Sequence, residues 1–130
     1  MEGAIRAAVV IKRDGKFLLV QEGHAGAYGL WNWQQGKVEQ GESIEEAAIR
    51  EAKEETGYEV SILKKLTVVK DPFPRTREIH VFLGEIVGGE PQAPEGEIIQ
   101  AKWFAPAELE EIKELTPGSW VYEILISNKD

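Results

Sequence analysis

Glu51, Glu54 and Glu55 stand close together in the run Arg50-Glu51-Ala52-Lys53-Glu54-Glu55-Thr56-Gly57-Tyr58. A helix drawn through them places all three carboxylates on one face, within about 100° of arc. Glu54 and Glu55 would also fall in the last turn, beside the negative pole of the helix macrodipole. Each like-charge pair costs about 0.2–0.5 kcal/mol. A hard divalent cation reverses that sign, because Mg²⁺ is commonly held by one or two carboxylates together with waters and substrate phosphates. On spacing alone two readings stand side by side: a metal-binding face and a solvated acidic face.

The elements that must position these acids can be read around them. Ser43 can cap a helix, and Glu46 three residues later completes a capping box. Gly57 is a stop signal, so a helix is expected from about Ile44 to Thr56. Upstream, Ala4 to Arg13 and Lys16 to Gln21 are apolar runs separated by Asp14-Gly15, the signal for a tight hairpin. Gly23 to Gly29 is a loop; its glycines lack the order and the following Lys-Ser/Thr of a phosphate cradle. Downstream, Tyr58 to Lys70 and Arg77 to Val87 are β-rich, and Asp71-Pro72-Phe73-Pro74 breaks the chain between them. Gly88 to Gly96 is a turn region, and Gln100 to Phe104 a short strand. Pro106 opens a helix expected to run to about Leu115, and Ser119 to Ser127 a last one. Strands and helices in mixed order imply an α+β domain over residues 1–130, with a mixed sheet packed between helices.

Composition narrows the chemistry. There are no cysteines, which removes disulfides and thiolate metal sites, and two histidines, His24 and His80, do not make a zinc centre. No apolar run approaches the roughly 20 residues of a membrane span. The N-terminus reads as a strand rather than a leader, so a cytoplasmic protein is expected. The net charge of -8 argues against binding nucleic acid through its phosphates. It leaves room for a phosphorylated substrate held through a metal ion. Nothing in the sequence supports an oligomer.

The wider spacing decides between the two readings of the acidic face. Gly36 is followed after five residues by Glu42, and after seven more by Arg50-Glu51, then Glu54-Glu55, Gly57 and Tyr58. This resembles the signature of the Nudix hydrolase family, G-x5-E-x7-R-E-U-x-E-E-x-G-U, where U is a bulky apolar residue. All charged and glycine positions match; the U positions hold a small Ala52 and an aromatic Tyr58. The hairpin, the Gly29-Leu30-Trp31-Asn32 stretch and the segment from Glu97 through Trp103-Phe104 into the Pro106 helix extend the resemblance along most of the chain.

The resemblance implies a Nudix-type α/β/α sandwich around a central mixed sheet. It implies hydrolysis of a pyrophosphate bond in a nucleoside di- or triphosphate, or a related nucleoside diphosphate-X compound, with Mg²⁺ and with Mn²⁺ able to substitute. Glu51, Glu54, Glu55 and the backbone carbonyl of Gln35 would be the metal ligands. Arg50 would orient Glu42 or Glu51 by charge-assisted hydrogen bonds, and Gly36 and Gly41 would let the loop turn tightly. The proton of the attacking water would go to Glu51 or to Glu97, with Glu95 behind it. The chain departs from the family at Gln34-Gln35, where many relatives carry Pro-Gly or Pro-Ala. Gln-Gly is similar to members acting on dinucleoside polyphosphates or capped RNA, whereas Trp31-Asn32 is similar to members acting on nucleotides and small pyrophosphate esters. A nucleotide-binding module without turnover is the rival reading, although it would have no need to keep all three acids.

Other residues carry a bland and a functional reading together. Trp31 and Trp33 share a face if extended, for packing or, at Trp33, for stacking on a base. Trp103 reads as core and His80 as a packed histidine. Arg75 and Arg77 could hold a phosphate, and Phe73 and Tyr28 could contact a base or sugar.

Overall fold

The computed structural model describes residues 5–71, 77–92 and 98–130. Seven strands form one sheet: β1 (Ile5–Arg13), β2 (Lys16–Glu22), β3 (Trp31–Asn32), β4 (Gln34–Lys37), β5 (Tyr58–Asp71), β6 (Arg77–Gly89) and β7 (Ile98–Phe104). The order is β3-β2-β1-β6-β5, with β4 on β1 and β7 on β2. Among the described residues only the β1–β6 pairing is parallel, so the sheet is mixed as expected. Asp14 (φ 53°) and Gly15 (φ 77°) are both left-handed, which is the turn that matches the twist of a two-residue hairpin.

The β1–β2 hairpin opens into a fork. Ile11, Lys12 and Arg13 of β1 face β2, whereas Arg6 to Val9 face β4. The chain crosses between the two prongs, pairing with β2 through β3 and with β1 through β4. Gln34 stands at the crossing, fully buried, and its side-chain amide donates to the Leu18 carbonyl at 3.1 Å.

Helices cover both faces. On one side α1 (Ile44–Thr56) lies against Ala7, Val9, Ile11, Leu18, Val60 and Phe82. Its contact face is Ala47, Ala48 and Ala52, all fully buried, and these small side chains let the helix sit close to the sheet. Ser43 and Glu46 make the reciprocal capping box, and Gly57 closes the helix at φ 85°. On the other side α2 (Pro106–Glu111) and α3 (Ser119–Ser127) bring Leu109, Val121 and Leu125 onto Ala8, Val10, Phe17, Leu19, Trp31, Trp33 and Phe104. The result is the α/β/α sandwich. No helix among the described residues is long and apolar enough to cross a membrane.

Two expectations change. The Pro106 helix ends at Glu111 rather than near Leu115: Ile112 leaves helical geometry (φ −112°, ψ 11°) with its side chain against the core, and Lys113–Leu115 form a separate 3₁₀ turn. Trp33 is 1% exposed within the core, so it has no face to offer a base. Trp103 packs against the core under α1 as expected but is only partly buried, edge-on to Tyr58 at 6.5 Å between ring centroids, with the Arg13 guanidinium 4.8 Å from its ring.

Candidate metal centre

The outer turns of α1 aim their acids at β4. Gly36 lies inside β4, and its φ is not left-handed. Its requirement is space rather than the turn expected of it: a Cβ there would fall 2.0 Å from a Glu51 carboxylate oxygen. The tight turn belongs to Gly41, at φ 89°. Glu51 thus lies flat on the strand, with its side chain 14% exposed.

Among the described residues β4 pairs with β1 alone, so its other edge faces the acids. The Gln35 backbone N–H is directed at the Glu55 carboxylate and favours its charged form. In an antiparallel strand a residue's N–H and C=O project from the same edge. The Gln35 carbonyl is therefore directed to the same side as its N–H, towards the acids.

Arg50 ties the acids together. Its Nε and Nη2 donate to the two oxygens of Glu42 at 3.1 and 2.7 Å, a bidentate pair. Nη1 donates to Glu51 at 2.9 Å and to Glu54 at 3.3 Å, and Nη2 also donates to the Lys37 carbonyl at 3.0 Å. One guanidinium therefore links α1, the loop before it and β4. Its hydrogen bonds hold the Glu42 carboxyl below its ordinary pKa. Glu51 is raised instead, because burial outweighs the help from Arg50. Glu55 is pushed up to about 9, first by burial and then by the charges of Glu51 and Glu22. Its Oε1 is buried with no hydrogen-bond partner.

An unpartnered buried carboxylate oxygen between two further acids is costly without a proton or a cation. The donors gathered here, carboxylates and a backbone carbonyl, are hard oxygens of the kind Mg²⁺ and Mn²⁺ take. Among the described residues no three acidic or histidine side chains form a ready-made metal cage. Glu51 and Glu55 meet, whereas Glu54 is 58% exposed and turned to Arg50. That suits a cation whose remaining positions are filled by water and substrate oxygens.

The NUDIX domain model matches residues 2–123. The chain belongs to the Nudix family.

Among relatives of this Nudix chain, an oxidized purine nucleoside triphosphate hydrolase of Danio rerio is 34% identical over 99 residues, covering 74% of the chain and 62% of that protein. An ADP-ribose pyrophosphatase of Methanocaldococcus jannaschii is 37% identical over 93 residues, covering 69% and 55%. A solved NUDIX hydrolase from Nitrosomonas europaea superposes with a TM-score of 0.87 at 27% identity, covering 95% of this chain and 86% of that one. The chain spans less than two thirds of the length of the curated relatives it matches.

The cleft over the Nudix box, about 340 Å³, is lined by Gln35, Gly36, Glu51, Glu54 and Glu55 together with Arg6, Glu22, His24 and Ile98. Sequence reasoning missed Arg6, Glu22 and His24. Glu22 had a local signal: it is an acid that closes the apolar run Phe17–Val20 at the end of β2. It accepts from Asn32 Nδ2 at 3.4 Å and lies 3.4 Å from His24 Nε2. Tyr28 is 74% exposed in the loop after β2 and does not line the cleft. That loop is closed by Glu22 N–H to Leu30 O and Gly29 N–H to Glu22 O, at 2.8 and 2.7 Å. Arg77 opens β6 opposite Asp71. Phe73, Arg75, Glu95 and Glu97 lie outside the described residues, although Ile98, next to Glu97, reaches the cleft.

The Arg50 network gives a direct test. Arg50→Lys keeps the charge and loses the planar fork. Turnover is expected to fall about 10–100-fold, the usual cost of losing a residue that orients metal ligands, with circular dichroism unchanged. Turnover within twofold of wild type would show that Glu42 and Glu51 need no orientation.

Proposed function

We propose that this Nudix chain hydrolyses a phosphoric anhydride bond in a nucleoside di- or triphosphate or a related nucleoside diphosphate-X compound. The observation that carries the reading is the Glu51–Glu55 pair, with its orphaned oxygen, under the open edge of β4. Gln35 through its carbonyl, Glu51 and Glu55 would hold Mg²⁺ or Mn²⁺, with Glu54 swinging in from solvent. When bound, the cation supplies a water of lowered pKa and neutralises charge on the departing phosphate. Arg50 keeps Glu51 and Glu42 in place. Glu51 or Glu97 accepts the proton of the attacking water. Arg6, which also lines the cleft, would add positive charge on the side of the incoming phosphates.

The two named relatives act on different nucleotides, an oxidized purine triphosphate and ADP-ribose, so the anhydride is the part of the substrate the site supports. The intact acids favour turnover over a binding module. A panel of nucleoside triphosphates, dinucleoside polyphosphates, nucleotide sugars and ADP-ribose, assayed with Mg²⁺ and after chelation, tests the reading. At least one is expected to turn over only with metal. Binding without turnover across the panel would establish the module instead.

A further inference from the structure

Gln35 carries a side chain at a position where only its backbone carbonyl would be needed by a metal. Trp33 Nε1 donates to Gln35 Oε1 at 2.7 Å. An indole N–H can only donate, so it fixes which end of the carboxamide faces the tryptophan. The oxygen is held inward and the NH₂ group is turned away. Trp33 is locked in the core at 1% exposure, so the anchor does not move. Gln35 itself is half-buried and lines the acidic cleft. Among the described residues its Nε2 donates to nothing.

We propose that the Gln35 side-chain amide donates to a non-bridging phosphate oxygen of the bound substrate, and that Trp33 is the positioning residue that aims it. This rests on the reading of the cleft as a diphosphate site. Carboxylates dominate the cleft, and they repel a phosphate wherever the cation does not stand between. An aimed neutral donor attracts the phosphate oxygens without placing a second positive charge beside the cation, as a lysine would. A hydrogen bond to an ionised acceptor is also roughly twice as strong as one between neutral groups. The buried Trp33, which packing alone would account for, thereby gains a function through its one polar atom.

The test measures the affinity of α,β-methylene-ADP, a nucleoside diphosphate with an uncleavable bridge, by calorimetry in Mg²⁺. Gln35→Ala is expected to weaken binding about 10–100-fold, from the loss of one hydrogen bond to a charged group. Gln35→Glu, which replaces the donor by a charge, should weaken it further. Trp33→Phe keeps most of the packing and should weaken binding less. The double variant Trp33→Phe/Gln35→Ala should bind no more weakly than Gln35→Ala, because the tryptophan acts through the amide. The rise in Tm with Mg²⁺ alone should survive in Gln35→Ala, since the carbonyl is retained. Wild-type affinity in Gln35→Ala overturns the donor, and additive losses in the double variant overturn the role of Trp33. If the wild-type protein fails to bind the analogue, the diphosphate reading falls and takes this proposal with it.

Discussion

Glu51→Gln is expected to lower kcat by about 10²–10⁴-fold, the range for removing a general base, and to weaken Mn²⁺ binding in the same variant. Glu51 lies on Gly36, held by Arg50 and adjacent to Glu55. No part of the site can lose it quietly. Glu97→Gln separates the two duties that Glu51 could combine. If Glu97 takes the proton, its variant should lose kcat and keep Mn²⁺ affinity. If Glu51 takes it, the Glu97 variant should behave as wild type in both. Measuring kcat on the best substrate and Mn²⁺ affinity in the two variants decides the base. Wild-type turnover in Glu51→Gln would remove the centre from α1 altogether.

In metal-free protein, Glu55→Gln should be more stable than wild type at neutral pH, by several degrees in Tm. The folded state raises the Glu55 carboxyl from 4.5 to about 9. Between those values the folded protein holds a proton that the unfolded chain has released. Its contribution is complete below about pH 4.5 and is lost progressively as pH rises towards 9, so wild-type stability declines across that window. Glutamine does not titrate, and Glu51, also raised, leaves a smaller slope of the same sign. The gap between variant and wild type should therefore widen from pH 5 to pH 9 in the presence of a chelator. Millimolar Mg²⁺ should then raise the wild-type Tm and raise that of Glu55→Gln much less. Parallel pH profiles, or an undiminished Mg²⁺ response in the variant, would place the proton and the cation elsewhere.

Local chemistry made α1 legible. Ser43 and Glu46 start it and Gly57 stops it, and the observed helix has the expected ends, Ile44 and Thr56. The spacing from Gly36 to Gly57 pointed to the acids for the same reason: they lie on one element and its approach. What the sequence concealed depends on contacts between distant segments. The fork of β1, with the chain crossing between its prongs, arises from strands of two and four residues, too short to announce themselves by period. Glu22 and Arg6 reach the cleft because β2 ends there and β1 begins there. Trp33 looked available because alternation gives it a face without saying which. The face it received is the core under α2 and α3.

The close fit of Gly36 beneath Glu51 also works as a parity check on the sheet. Gly36 stands opposite Ala7 in the β1–β4 ladder. A slip of two residues would bring Gln34 or Val38 to that place, and either side chain would occupy the volume that the Glu51 carboxylate needs. A slip of one would turn the wrong face of β4 to the helix. In the region around Gly36, only the correct alignment leaves a residue without a Cβ under Glu51. If the proposed centre binds a cation, a copy with β4 out of register would lack room for the Glu51 carboxylate and would not bind it, so metal affinity would report on whether this strand was threaded in frame.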